Sequence, residues 1–270
     1  MSAATGRARF GDLLAAEWIK IRSLRSTPWV LALVTLTVLT SAALAAYGDY
    51  RNYPHYSGRD QREHVWSLGD AFPAEGYLTL MLAAGSVGAI VVVSEYGSGL
   101  IRTTTVAVPA RRAVLLAKAV VTALLWTGVG LVCALGSFAV SQGILAGRDA
   151  AVPLTDAGAL RAVAASALLA PVCALIGFGL GALVRHGATT MVGTAFTLLM
   201  LPVFFSSREP WVQRIDHLMV QSAWQRLVTL YGWGPEAYGG ATVAGAWTVF
   251  AVWPLVAVAL ALLVVRHRDV

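Results

Sequence analysis

Residues 241–265 read ATVAGAWTVFAVWPLVAVALALLVV, with no Asp, Glu, Lys or Arg anywhere in the run. A helix of ~20 residues, rising ~1.5 Å per residue, crosses the ~30 Å hydrocarbon core of a bilayer. The stretch is therefore predicted to span a membrane. Working back toward the N-terminus, comparable apolar blocks lie at 29–47, 77–94, 113–140, 160–184 and 188–205. Of the 270 residues, 57% are apolar and 13% charged, and the mean hydropathy is +0.69. Soluble domains carry roughly twice that charge. The apolar excess falls in blocks separated by short polar segments, so the expected fold is an all-α membrane protein with six transmembrane helices. The whole chain, 1–270, reads as one transmembrane domain with no internal repeat.

The net charge of +6 does not point to nucleic acid, because the basic residues flank the apolar blocks instead of forming one soluble face. They report orientation. With the N-terminus placed in the cytoplasm, twelve Lys and Arg residues fall on the inner side and eight on the outer side. The outer loops are the longer ones, so the contrast in density is greater. Both termini are expected to be cytoplasmic, in a multi-pass protein of the cell membrane. Ala43-Leu44-Ala45 resembles a signal cleavage site, but the preceding region and apolar run are long for a signal. An uncleaved first span is expected.

Before that span, Phe10, Leu13, Leu14, Trp18, Ile21 and Leu24 share one helical face at ~100° per residue. Residues 9–27 thus read as an amphipathic helix on the inner membrane surface, with Lys20, Arg22 and Arg25 facing anionic lipid. Glu17 projects into the middle of the apolar face, where a carboxylate needs a partner. Lys20, one turn on, is one candidate; a residue distant in sequence is the other. Pro28 opens the first span, where its missing N–H costs nothing.

The loop after the second span reads SEYGSGLIRTTTVAVPARRAVLLAK from Ser94 to Lys118. Gly97 and Gly99 permit a sharp turn. Leu100 to Val106 can form a short helix that stops before Pro109. That segment is either a helix pressing on a partner protein or an ordinary basic inner loop, with Arg111, Arg112 and Lys118 anchoring span three. On the outer side, 206–240 carries Trp211, Trp224, Tyr231, Trp233 and Tyr238, the aromatic content of interfacial or re-entrant helices. Segment 48–76, with Tyr50, Tyr53, Tyr56 and Trp66, reads as an outer cap or a substrate contact. Gly177, Gly179 and Gly181 in span four and Gly85 and Gly88 in span two are expected to let helices approach closely.

Catalytic signatures are missing. The sequence has no G-x-x-x-x-G-K-[ST] and no H-E-x-x-H. Its five His residues are scattered, and neither Cys133 nor Cys173 lies in a polar loop. No Asp, Glu, Lys or Arg occupies the middle third of any span, which argues against proton-driven transport. No enzyme activity, resident cofactor or metal is expected.

Residues 13–29, LLAAEWIKIRSLRSTPW, resemble the N-terminus of bacterial ABC-2 type transporter permeases of the actinobacterial kind, through Glu17, Trp18, Lys20, Arg22, Ser23, Arg25, Ser26, Thr27 and Trp29. Glu95-Tyr96 with Gly99, Ile101, Arg102, Thr103 and Thr104, followed by Pro109, Arg111 and Lys118, is a second point of similarity. The resemblance implies a permease without its own ATPase, paired with a cytoplasmic ABC ATPase that binds ATP and Mg, and with a second permease copy or paralogue. It implies that 9–27 is an elbow helix and that Glu95, Tyr96, Gly99, Leu100, Ile101 and Arg102 belong to a coupling helix docking on the ATPase. Glu17 is then expected to pair with Arg102 or another loop arginine. The likeness implies export of lipids, polysaccharides, drugs or antibiotic peptides, and the absence of an aromatic track within the spans, unlike polysaccharide exporters, points to a hydrophobic or amphipathic cargo. The alternative is a non-transporting interaction or immunity protein of the same fold.

Overall fold

The computed structural model describes residues 9–23, 25–58, 66–97, 111–156, 158–205, 209–229 and 241–267. Among them there is helix and no strand. The helices are α1 (Phe10–Ser23), α2 (Thr27–Asn52), α3 (Ala74–Gly97), α4 (Arg111–Leu145), α5 (Ala159–Val184), α6 (Gly187–Phe204), α7 (Pro210–Asp216), α8 (Val220–Val228) and α9 (Val243–His267). Six of these, α2 to α6 and α9, are long and apolar enough to cross a membrane, each overlapping the matching predicted block. This is a multi-pass helical membrane protein.

The helices outrun the apolar blocks that announced them. α2 continues to Asn52 and α4 from Arg111 to Leu145. At ~1.5 Å per residue the 35 residues of α4 measure ~52 Å. Backbone hydrogen bonds persist beyond the hydrocarbon, so polarity marks where the membrane ends and not where the helix does. α6 is short and departs from α geometry at Phe196–Met200, a π turn, before Pro202.

α5 is the central helix, packed against α3, α4, α6, α8 and α9. Its small residues make this possible. A side chain on Gly177 would run into the Gly85 carbonyl of α3, and one on Gly88 into the Ala174 carbonyl of α5. The two backbones therefore touch at the glycines marked in the sequence. α4 approaches α5 at Gly130, against the Ala167 carbonyl. Pro171 lies four residues after Ala167 and has no N–H, so that carbonyl lacks its usual helical partner.

Polar bonds tie the helices at the end of the bundle away from α1. Tyr77 and Ser137 hydroxyls meet at 2.9 Å between α3 and α4. Trp224 of α8 donates from Nε1 to Ser166 Oγ of α5 at 3.1 Å and stacks on Tyr77 with centroids 5.0 Å apart. Trp224 is 1% exposed, so this aromatic of the 206–240 segment is core and not an interfacial float. Trp211, at 63%, fits the interfacial expectation. Tyr231, Trp233 and Tyr238 lie outside the described residues. Gln142 closes the cap: its Nε2 donates to Ser67 O at 2.9 Å, and its Oε1 accepts from Val152 N at 2.7 Å. Tyr53 and Tyr56 pack edge-on against Trp66, so these three aromatics of 48–76 are committed to the cap.

Candidate functional site: a buried ring of charge

α1 begins with Arg9 N–H donating to Asp12 Oδ2 at 2.9 Å, one half of a capping box. Lys20 and Arg22 sit in its last turn, where cations suit the helix dipole. The helix packs on the N-terminal part of α4 and buries Glu17 and Ile21. Glu17 is 3% exposed, on the face that the spacing places in contact with the spans. Phe10 and Trp18 remain partly exposed at its edge.

Three helix segments converge on Glu17. Lys20 Nζ donates to Glu17 Oε1 at 2.6 Å and to Glu95 Oε1 at 3.0 Å. Lys118 Nζ donates to Glu17 Oε2 at 2.6 Å and to Glu95 Oε1 at 2.8 Å. Glu95 lies in the last turn of α3 and Lys118 two turns into α4. The result is a closed four-membered ring of alternating sign with no net charge. Each carboxylate touches both ammonium groups. Lys118 is 4% exposed, while the Lys20 side chain, at 46%, reaches solvent.

The electrostatics follow from this arrangement. A carboxylate near a helix C-terminus opposes the dipole, so Glu95 at the end of α3 needs its cations. Burial pulls the Lys20 ammonium toward a lower pKa, but hydrogen bonds and charges from Glu17 and Glu95 outweigh it and hold the value above 10.5. Lys118 is enclosed between two carboxylates from different helices. A compact ammonium with three donors can serve them in different directions, whereas a planar guanidinium presents its donors in one plane.

Both candidate partners of Glu17 are thus engaged, the local Lys20 and a distant residue. Among the described residues the distant one is Lys118; Arg102 lies outside them. Lys118, expected to anchor span three at the surface, instead faces inward. A signal for this was present: Lys20 and Lys118 are the only lysines among twenty basic residues, all others being arginine. Arg22 and Arg25 are exposed and take no part in the ring. Tyr96 lies in α3 by its backbone, and Gly99, Leu100 and Ile101 fall outside the described residues.

The sequence matches no protein-family model and no curated protein sequence. Among the described residues, no group of three or more His, Cys, Asp or Glu side chains is placed to hold a metal ion. The ring offers no nucleophile and no open coordination position. What it can do chemically is bind α1, α3 and α4 together at one end of the bundle.

Proposed function

We propose that this chain is the membrane-spanning permease subunit of an ATP-binding-cassette exporter of the ABC-2 type, driven by a separate cytoplasmic ATPase. The observation that carries this reading is the ring. Glu95 and Lys118 stand on either side of residues 98–110, the segment similar to a coupling helix; Glu17 joins Lys118 to α1 and Lys20 joins Glu95 to it. A force applied to that segment reaches α3 and α4 directly and reaches α1 through two short ion pairs. Three helices then move as one piece, which is what conversion of ATPase closure into span movement requires. α1 has the role of an elbow helix. Both termini lie in the cytoplasm, ATP and Mg bind only on the partner, and the substrate path forms with a second permease copy or paralogue. Motifs for ATP binding are missing from the chain itself, in keeping with a division of labour.

Co-purification tests the reading. The chain is expressed in membranes with the ATPase encoded beside it, alongside two variants: Glu95→Ala, and Leu100–Val106 replaced by a Gly-Ser linker. Co-isolation that is lost with the linker supports the permease assignment and locates the coupling helix. Failure to isolate with any ATPase removes it. ATP-dependent export by the reconstituted complex then separates a transporter from an interaction or immunity protein.

A further inference from the structure

A cleft of about 740 Å³ opens beside the ring, where α1, α2 and α4 meet. Leu14 and Trp18 of α1, Thr35 of α2, and Val121, Gly128 and Val132 of α4 are among its walls. The lining is almost wholly apolar. A Cβ on Gly128 would meet no atom within 4 Å, so the glycine widens the cleft without serving a helix contact. Trp18, Leu124 and Val132 are 42%, 64% and 58% exposed, so these walls are uncovered.

Its dimensions match one leaflet. From Val121 to Val132 the cleft runs ~16 Å along α4, at ~1.5 Å per residue. Half of a ~30 Å hydrocarbon core is ~15 Å. The α1 end carries charge. Arg22 follows Trp18 by one turn on the same arc of α1, and Arg25 stands at the corner leading into α2. Both are exposed and, among the described residues, neither has an ion-pair partner. Glu17 and Glu95, the nearby carboxylates, are already shared between Lys20 and Lys118. An apolar trough one leaflet deep, with unpaired cations at one end, is complementary to a lipid with an anionic headgroup.

We infer that this cleft is a binding site for a single anionic phospholipid, with an acyl chain along α4 and the phosphate against Arg22 and Arg25. The lipid wedges between α1 and the spans next to the ring, so its presence bears on how firmly α1 is seated. Trp18 forms one wall, and its indole suits a membrane interface. This site does not depend on ATP-driven transport, and its test uses no ATPase.

The test is native mass spectrometry on the full chain in mild detergent, titrated with dioleoyl phosphatidylglycerol or dioleoyl phosphatidylcholine. One phosphatidylglycerol retained per chain, in preference to phosphatidylcholine, is expected. Arg22→Gln should lower that preference about fivefold, the effect of removing one cation from an anionic surface. Gly128→Leu fills open space and should weaken both lipids about tenfold, as displacement of two methylenes would. Val132→Trp provides a second obstruction at the far end, and circular dichroism checks that both variants keep their helix content. Equal retention of the two lipids, or binding unchanged in both obstructed variants, overturns the site. A shift from dimer to monomer in the obstructed variants, without change in lipid, assigns the cleft to a second copy instead.

Discussion

At the residue scale, the ring is costly to build and more costly to break. Burying ions forfeits hydration, and only close, complete pairing returns it. Lys118→Gln leaves Glu17 and Glu95 without their buried cation and is expected to destabilise the protein by about 3–5 kcal/mol, read as a lowered unfolding temperature in detergent. Glu17→Gln combined with Lys118→Gln should cost less than Lys118→Gln alone, because the second change removes a charge the first has stranded. Lys118→Arg should behave as a disruptive change, since a planar guanidinium fits poorly where one ammonium serves two helices. A smaller effect is expected at Lys20, which is partly exposed and screened, at no more than about 1 kcal/mol. Its pKa is raised in the folded protein, so the stability it contributes is complete below pH 10.5 and is lost as pH climbs through the raised value. Unfolding temperatures of wild type and Lys20→Gln should therefore differ at neutral pH and converge in strong alkali.

At the element scale, the contact between α3 and α5 depends on missing side chains. Gly88→Val drives its Cβ into the Ala174 carbonyl and should cost about 1–3 kcal/mol or more. Gly128→Ala meets open space and should be neutral or stabilising by up to ~1 kcal/mol, the helix propensity of alanine over glycine. Thermal unfolding of the two variants compares them directly. α8 is held by a different device. Trp224→Phe keeps an aromatic ring near Tyr77 and loses the bond to Ser166, for about 0.5–1.5 kcal/mol. Trp224→Ala also empties the space between α3 and α5, for about 3–5 kcal/mol. Near-ultraviolet circular dichroism, sensitive to the packing of Trp224, should change in both.

At the scale of the whole molecule, the proposed topology has six spans, an even number, and so puts both ends of the chain on one side of the membrane. With the proposed orientation, cysteines introduced at Ser2 and Asp269 should react with an impermeant thiol reagent only after cells are opened. One at Asp156, between α4 and α5, should react in intact cells. Cys133 and Cys173 are buried and give little background. Labelling of all three sites from one side would contradict the six-span arrangement. The reversed pattern would leave the spans intact and refute the orientation.

The sequence by itself determined that the protein is helical, that six of its segments are long and apolar enough to cross a membrane, and that glycines of the second and fourth spans sit between helices, though Gly130 went unmarked. Transfer of a segment into hydrocarbon is a sum over ~20 neighbouring residues, so the answer is local and survives without coordinates. It also showed that Glu17 is out of place, because one turn of helix reveals a carboxylate on an apolar face. The partner was decided only by tertiary structure. Glu17 and Lys118 lie 101 residues apart, and nothing local distinguishes a lysine that anchors at a surface from one that turns inward. The same holds for Trp224, whose amphipathic ring suits an interface in isolation but is drawn into the core by Tyr77 and Ser166. Which helix is central, which charges meet and where a cleft remains depend on how surfaces fit once the spans are inserted, and that fit is a property of pairs and triples of helices.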